Sequence, residues 1–431
     1  MDFTEQYKAR RRTLEECMAF VQNGDSIIVS GAACEPAVFL NRVQDLAKNV
    51  EGVTLHKSRD GSYPYLRDPS MKGRVDTIGH FFADNLREGF NNGICSYLPS
   101  DLHNFMAIRS EVSPDKIFWA RTTTMDENGD LCVPYCQMFE FDALKNASHV
   151  ICEVNTNPKY APTNGGCRIP IERVDMLYEV NEPLFCLPEF KVTELDETIG
   201  KNVASLINDG DCIQLGLGGL PNAIGEHLKD KNDLGVHSEM FSANMARLVD
   251  MGVITGKAKN LNPGMHLATF VLGDENLYRV FSTNPACKLV PASYANDPTI
   301  IAANDNMVSV NTLMEIDLTG QVNAESIGPM QFSGTGGGDD YAIGALHSKG
   351  GKGIFAFESM TRKGVSKIKS TLTPGSVVSV SRNHVDYIVT EYGIARLRGR
   401  TVGQRAAALI EIAHPSVRDQ LRSEARELGY I

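Results

Sequence analysis

Short apolar runs alternate with amphipathic stretches along the whole chain, and turn-forming residues mark each change. Ser26-Ile27-Ile28-Val29-Ser30 follows the turn Asn23-Gly24-Asp25, a pattern that predicts a buried strand. Over residues 37–46 the apolar positions Phe39, Leu40, Val43 and Leu46 fall on one side of a 3.6-residue period, which predicts a helix. Strand, small-residue loop and helix then recur. That order predicts an α/β protein with largely parallel sheets.

The pattern also repeats on a longer scale. Val21-Gln-Asn-Gly-Asp-Ser-Ile-Ile-Val-Ser-Gly31 is matched by Ile207-Asn-Asp-Gly-Asp-Cys-Ile-Gln-Leu-Gly-Leu217, with Gly24 and Gly210 186 residues apart. Residues 118–129 resemble residues 308–320, where Gly129 and Gly320 are 191 apart. Two matches in the same order predict two tandem, related α/β domains, residues 1–188 and 189–431, joined near Leu187-Pro188-Glu189-Phe190.

Composition narrows the function. With 42% hydrophobic and 22% charged residues in 431, the chain is an ordinary globular protein rather than a disordered or coiled-coil one. A net charge of −11 argues against nucleic acid or an anionic membrane surface as partner. No apolar stretch approaches the length of a spanning helix, and the charged N-terminus before Arg10-Arg11-Arg12 is not a secretory signal. The ten cysteines form no CxxC pair, and Cys132 and Cys136 have no adjacent His to complete a zinc site. A reduced, cytoplasmic protein without a metal is the expectation.

Three elements are candidates for chemistry. Leu215-Gly216-Leu217-Gly218-Gly219-Leu220-Pro221 lies between a predicted strand and a predicted helix, where free backbone N–H groups favour anions. Pro221 replaces the third Gly of a dinucleotide fingerprint, so a tight strand-to-helix turn is the equal alternative. Ser333-Gly334-Thr335-Gly336-Gly337-Gly338-Asp339-Asp340-Tyr341 packs four glycines into five residues, which lets a ligand or another backbone approach closely. It lacks the Lys-Ser/Thr of a P-loop, and its partly apolar flanks suggest an anchored loop. In Leu234-Gly-Val-His-Ser-Glu239 a short strand ends on a carboxylate, where α/β enzymes place reacting groups. From position alone Glu239 is more often a solvated or capping residue, and His237 a packed one. Glu391, after the run 385–390, is the rival carboxylate, and Arg362-Lys363-Gly-Val-Ser-Lys367-Ile-Lys369 is a basic run that reads as a solvated face.

Five stretches change these weights together: GLGGLPNAI at 216–224, GVHSEMFS at 235–242, SYANDP at 293–298, FSGTGGGDDY at 332–341 and DYIVTEYGIARLRG at 386–399. In this order they resemble the family I coenzyme A transferases, in the branch with 4-hydroxybutyrate and butyryl-CoA:acetate CoA-transferases and acetyl-CoA hydrolase/transferase proteins. The resemblance implies a CoA-transferase-like fold of two tandem α/β domains. It also implies acyl-CoA and small carboxylate substrates, no prosthetic group, and a homo-oligomer. By the same resemblance Glu239 is the nucleophile of a ping-pong transfer through a glutamyl-CoA thioester, and Asn296 and Gly337 supply oxyanion donors. Gly216, Leu217, Gly218, Gly219, Leu220 and Gly337 would lie against CoA, while Glu391 is retained without being the nucleophile. An unperturbed Glu is ionised at neutral pH, and the same is expected of Glu239. The first half departs from short-chain relatives at Arg59-Asp60-Gly61-Ser62-Tyr63 and at Thr122-Thr123-Thr124-Met125-Asp126. Arg59 and Arg121 are therefore candidate anchors for a second carboxylate on the acyl chain. An acyl-CoA hydrolase and a non-turning-over CoA-binding protein remain the alternatives.

Overall fold

The structure, a computed structural model, describes residues 2–57, 63–82 and 84–431. Two compact units divide it: Met1–Leu187 with Thr269–Ser293, and Pro188–Ala268 with Tyr294–Ile431. The break after Leu187 falls beside the predicted junction, but the excursion of 269–293 is invisible in the sequence pattern. Backbone pairing explains it, since Gln137 N–H donates to Thr269 O at 2.7 Å, Leu187 N–H to Gly273 O at 2.9 Å and Leu289 N–H to Asn164 O at 2.9 Å. Tyr278 adds its phenol to Phe185 O at 2.6 Å.

In the first unit β1 (Ser26–Val29), β2 (Val53–Lys57), β3 (Val75–Gly79), β4 (Cys95–Tyr97), β5 (Ile117–Thr122), β6 (His149–Asn155) and β7 (Met176–Val180) form one parallel sheet in the order β4-β3-β2-β1-β5-β6-β7. In the second, β8 (Cys212–Leu215), β9 (Gly235–His237), β10 (His266–Ala268), β11 (Met307–Asn311), β12 (Lys352–Ala356), β13 (Tyr387–Thr390) and β14 (Gly393–Arg396) lie in the order β10-β9-β8-β11-β12-β13-β14. All are parallel except the last pair. Both sheets put their first strand in the middle, so the strands run away from it on either side in matching sequence.

The repeat extends to individual hydrogen bonds. Before β1 the Asp25 carboxylate accepts Gln22 N–H at 2.9 Å; 186 residues on, Asp211 accepts Asn208 N–H at 2.8 Å. Gly24 and Gly210 both turn the chain at φ +78°, a conformation that favours glycine. Register matches too. Ile27 pairs with Leu55 and Ile213 with Val236, so His56 and His237 occupy the same place on equivalent strands.

One predicted element is divided. Residues 37–46 form two short helices, Ala37–Leu40 and Val43–Leu46, broken at Arg42, whose φ of −114° is non-helical. The Arg42 side chain instead pairs with Asp45 and Glu15. Phe39, Leu40, Val43 and Leu46 are still buried, and Phe39 stacks on Trp119 in the first unit's core. All cysteines but Cys186 are buried, and none is disulfide-bonded among the described residues. No helix among these residues is long and apolar enough to cross a membrane.

Candidate active site

β9 lies between β8 and β10, so His237 ends its strand deep in the second unit. The chain must then leave the sheet within two residues. Ser238 fixes that exit: its N–H donates to Leu267 O at 3.0 Å and its hydroxyl to Met240 O at 2.6 Å. Glu239 is left off the sheet with part of its surface open to solvent.

Its carboxylate meets two neutral donors. Asn296 Nδ2 donates to Glu239 Oε2 at 3.0 Å, and the Gly337 N–H donates to the same carboxylate. A Cβ at position 337 would collide with both the Asn296 amide and Glu239, so only glycine permits this approach. Gly337 is also the N-cap of the helix Gly338–His347, whose N-terminus carries no side-chain cap. The positive end of the helix dipole therefore lies at the Glu239 carboxylate.

Protein crowded around the Glu239 carboxyl pushes its pKa up to about 7; the Asn296 bond opposes this, the Asp340 charge adds to it, and the Gly337 bond opposes it. Glu239 therefore holds its proton more tightly than the ordinary carboxyl the sequence leads one to expect. Asn296 and Gly337 are both uncharged, so neither offsets the cost of burial as a cation would.

The Gly-rich loop before Gly337 is anchored by a residue that sequence reading missed. Buried Glu325 accepts Phe332 and Ser333 N–H groups on its main-chain oxygen, each at 2.8 Å. Its carboxylate takes Ser379 Oγ at 2.9 Å and Gln331 Nε2 at 3.2 Å. Gly336 then turns at φ +53° and delivers Gly337. Nothing at the sequence level distinguishes Glu325 from a surface glutamate.

The other Gly-rich turn follows β8. Gly218, at φ +134°, precedes the helix Gly219–His227, again without a side-chain cap. Residues 216–220 are half-exposed, and a Cβ at Gly216 would meet nothing within 4 Å. Gly219, by contrast, packs against Lys191 O and the Asp196 carboxylate. The turn thus has an open side and a closed side.

The remaining candidates are occupied otherwise. Glu391 accepts Ser359 N–H at 2.9 Å and Ser359 Oγ at 2.5 Å, a structural clasp. Lys369 in the basic run pairs with Glu315 at 2.6 Å. Burial disfavours the charge on buried Glu315, but hydrogen bonds from Lys369, Ser376 and Thr373 outweigh it and lower the pKa to about 2. Arg121, 4% exposed, faces Glu153 at 3.7 Å and lies over the Tyr160 ring, an ion pair internal to the first unit. Arg59 lies outside the described residues.

The profile of the acetyl-CoA hydrolase/transferase N-terminal domain matches residues 1–188, and that of the C-terminal domain matches residues 273–425. The chain is similar to the succinyl-CoA:cyclohexane-1-carboxylate CoA transferase of Geobacter metallireducens, with 35% identity over 100% of this chain and 98% of that protein. It is 37% identical to the 4-hydroxybutyrate coenzyme A transferase of Clostridium kluyveri, over 99% of this chain and 100% of the relative. Among solved structures, RipA from Yersinia pestis superposes with a TM-score of 0.93 at 31% identity, covering 100% of both chains.

Proposed function

The chain belongs to the acetyl-CoA hydrolase/transferase family, and on that footing we propose that it is an acyl-CoA:carboxylate CoA-transferase working through Glu239. The observation that carries this reading is the geometry at Glu239. A partly accessible carboxylate sits between two neutral donors, Asn296 Nδ2 at 3.0 Å and the Gly337 N–H. A carboxylate locked to a cation would be a poor nucleophile; one held by two neutral donors keeps its electron pairs available. The substrates are CoA thioesters of short carboxylic acids, among them 4-hydroxybutyrate, butyrate, acetate or a small dicarboxylate. Relatives named for 4-hydroxybutyrate and succinyl-CoA support that class.

In the proposed sequence the ionised Glu239 attacks the thioester carbonyl, and the oxyanion that forms takes over the donors that had held the carboxylate. Such a donor is worth about 3–4 kcal/mol of transition-state stabilisation. Collapse breaks the carbon–sulfur bond, releases CoA thiolate and leaves an acyl-glutamyl anhydride. The thiolate then attacks the glutamyl carbonyl, the first carboxylate departs, and a glutamyl-CoA thioester remains. An incoming carboxylate reverses the steps and leaves as the new thioester. The anhydride keeps the acyl group activated, so no ATP is required. Gly216 to Leu220 offer their open backbone to the CoA arm.

Peptide-mapping mass spectrometry after incubation with acetyl-, butyryl- or succinyl-CoA, with no acceptor added, tests this directly. The expected result is a CoA adduct on the Glu239 peptide that disappears when a carboxylate is added and emerges as its thioester. Steady CoA release with neither adduct nor acceptor requirement would make the protein a hydrolase instead. No reaction with any donor would favour a CoA-binding role.

A further inference from the structure

The main-chain carbonyl of Ala295, the residue before Asn296, is shared by two buried donors. His237 Nε2 lies 2.9 Å from it and the Tyr341 hydroxyl also 2.9 Å. His237 comes two residues before Glu239 and ends β9. Tyr341 stands one helical turn after Gly337, with its N–H bonded to Gly337 O at 2.9 Å. A single carbonyl therefore ties together the three segments that bear Glu239, Asn296 and Gly337.

The protonation state of His237 follows from its surroundings. The ring is fully buried, and the nearby Lys259 charge, itself held by Val236 O and Met265 O at 2.9 Å each, discourages a second proton. Among the described residues Nδ1 has no hydrogen-bond partner, so the single N–H of the neutral ring is the one that faces Ala295 O. The peptide group that links Ala295 to Asn296 is planar, so holding its oxygen at two points fixes the plane from which the Asn296 side chain departs.

Building on the assignment of Glu239 as nucleophile, we propose that His237 and Tyr341 are positioning residues. Through the Ala295 carbonyl they hold the Asn296 amide against the reacting carboxylate. Neither touches substrate. Both act on where Asn296 Nδ2 points, and through it on how readily Glu239 gives up its proton. Asp340 is a charged group that bears on that proton alongside Asn296 and Gly337, and the Tyr341 phenol is coupled to Glu239 as well.

Tyr341→Phe, His237→Leu and His237→Gln, the double variant Y341F/H237L and Glu239→Gln are compared by steady-state kinetics across pH, with melting temperature recorded for each. Y341F and H237L are expected to lower kcat by about 10- to 100-fold with little change in KM for the acyl-CoA, since misplacement of a catalytic donor has effects of that size. They should also move the acidic limb of kcat/KM upward, because a displaced Asn296 no longer favours the ionised carboxylate. H237Q, whose amide N–H can reach the place of Nε2, should recover most of the loss. The double variant should fall by more than the product of the single effects, because Ala295 O then loses both donors. The proposal is overturned if Y341F and H237L keep the parental kcat and acidic limb. It is equally overturned if they lose activity only in proportion to melting temperature with the limb unmoved. E239Q separates the two levels: an active E239Q defeats the nucleophile assignment itself, whereas an inactive E239Q with unaffected Y341F and H237L defeats only the positioning role.

Discussion

The two units share a strand order, yet the carboxylate at the candidate site is held differently from its counterparts in the first unit. In the first, carboxylates are matched by cations or locked by several donors. Glu35 binds Lys57 at 2.5 Å and Tyr63 at 2.9 Å, and Glu153 faces Arg121 while accepting Tyr178 OH at 2.8 Å and Phe39 N–H at 3.1 Å. In the second, Glu239 is held by the uncharged donors of Asn296 and Gly337. The equivalent histidines differ as well: His237 Nε2–H donates to Ala295 O, whereas neither ring nitrogen of His56 meets a partner among the described residues. Even the strand-to-helix turns diverge. Residues 31–36 are buried, with the Gly31 N–H committed to Glu140 at 2.9 Å, while residues 216–220 stay half-exposed. A shared topology thus sets where such groups can stand, and the local partner decides whether a group is inert or poised to react.

Five substitutions put that contrast to the test. The largest effect belongs to Glu239→Gln, which should lower transferase turnover by at least about 10⁴-fold in a coupled assay for new thioester. Because burial raises the folded-state pKa of Glu239 above its ordinary value to about 7, folding stability falls as pH rises through that range. Denaturant titration should accordingly find the glutamine variant more stable at about pH 8, by at most about 3 kcal/mol, with the gain gone below about pH 5. Parental turnover in this variant would erase the distinction between the units.

Arg121→Ala should cost about 3–5 kcal/mol of stability by stranding Glu153, whose pKa burial already raises and Arg121 restrains. Urea unfolding measures this, and the ratio of succinate to butyrate turnover should not move. A changed ratio with stability intact would instead make Arg121 a substrate anchor. Gly337→Ala should reduce kcat by about 10²–10³-fold, while Gly338→Ala, whose Cβ meets nothing, should stay within about threefold of the parent. Equal losses at the two glycines would point to helix disruption rather than crowding of Glu239.

The smallest effect is expected at His56→Leu, where an apolar side chain replaces a ring with unpartnered nitrogens. At neutral pH stability should change by no more than about 1 kcal/mol. The folded-state pKa of His56 is lowered to about 3, first by burial and then by Arg109. The parent therefore loses stability as pH falls from the ordinary histidine value toward 3, and the leucine variant should lose less of it. An unchanged acid limb in thermal melts at graded pH would show that His56 has a partner.

Much of the fold is legible in the amino-acid sequence. The turn glycines Gly24 and Gly210 and the apolar runs beyond them locate β1 and β8, because backbone conformation and strand burial are local preferences. Glu239, Asn296 and Gly337 stand out through motif order. The packing of 269–293 with the first unit has no such signature, since it rests on backbone pairs between residues as much as 154 positions apart, as with Met138 and Ala292. Nor has the break at Arg42: the apolar period is right, but the backbone leaves the helical region there at φ −114°.

The α/β alternation, the internal repeat, the lack of any long apolar segment and the three candidate residues of the site all follow from the order of residues along the chain. These are properties of neighbouring positions or of motif succession, so no knowledge of long-range contacts is needed to find them. Folding adds what that order does not contain: the crowding of Glu239 beside neutral donors, the capture of Arg121 by Glu153, and the convergence of His237 and Tyr341 on one carbonyl. Burial and hydrogen-bond geometry depend on which distant segments meet, and they shift the proton affinity of a carboxylate by far more than its sequence neighbours do.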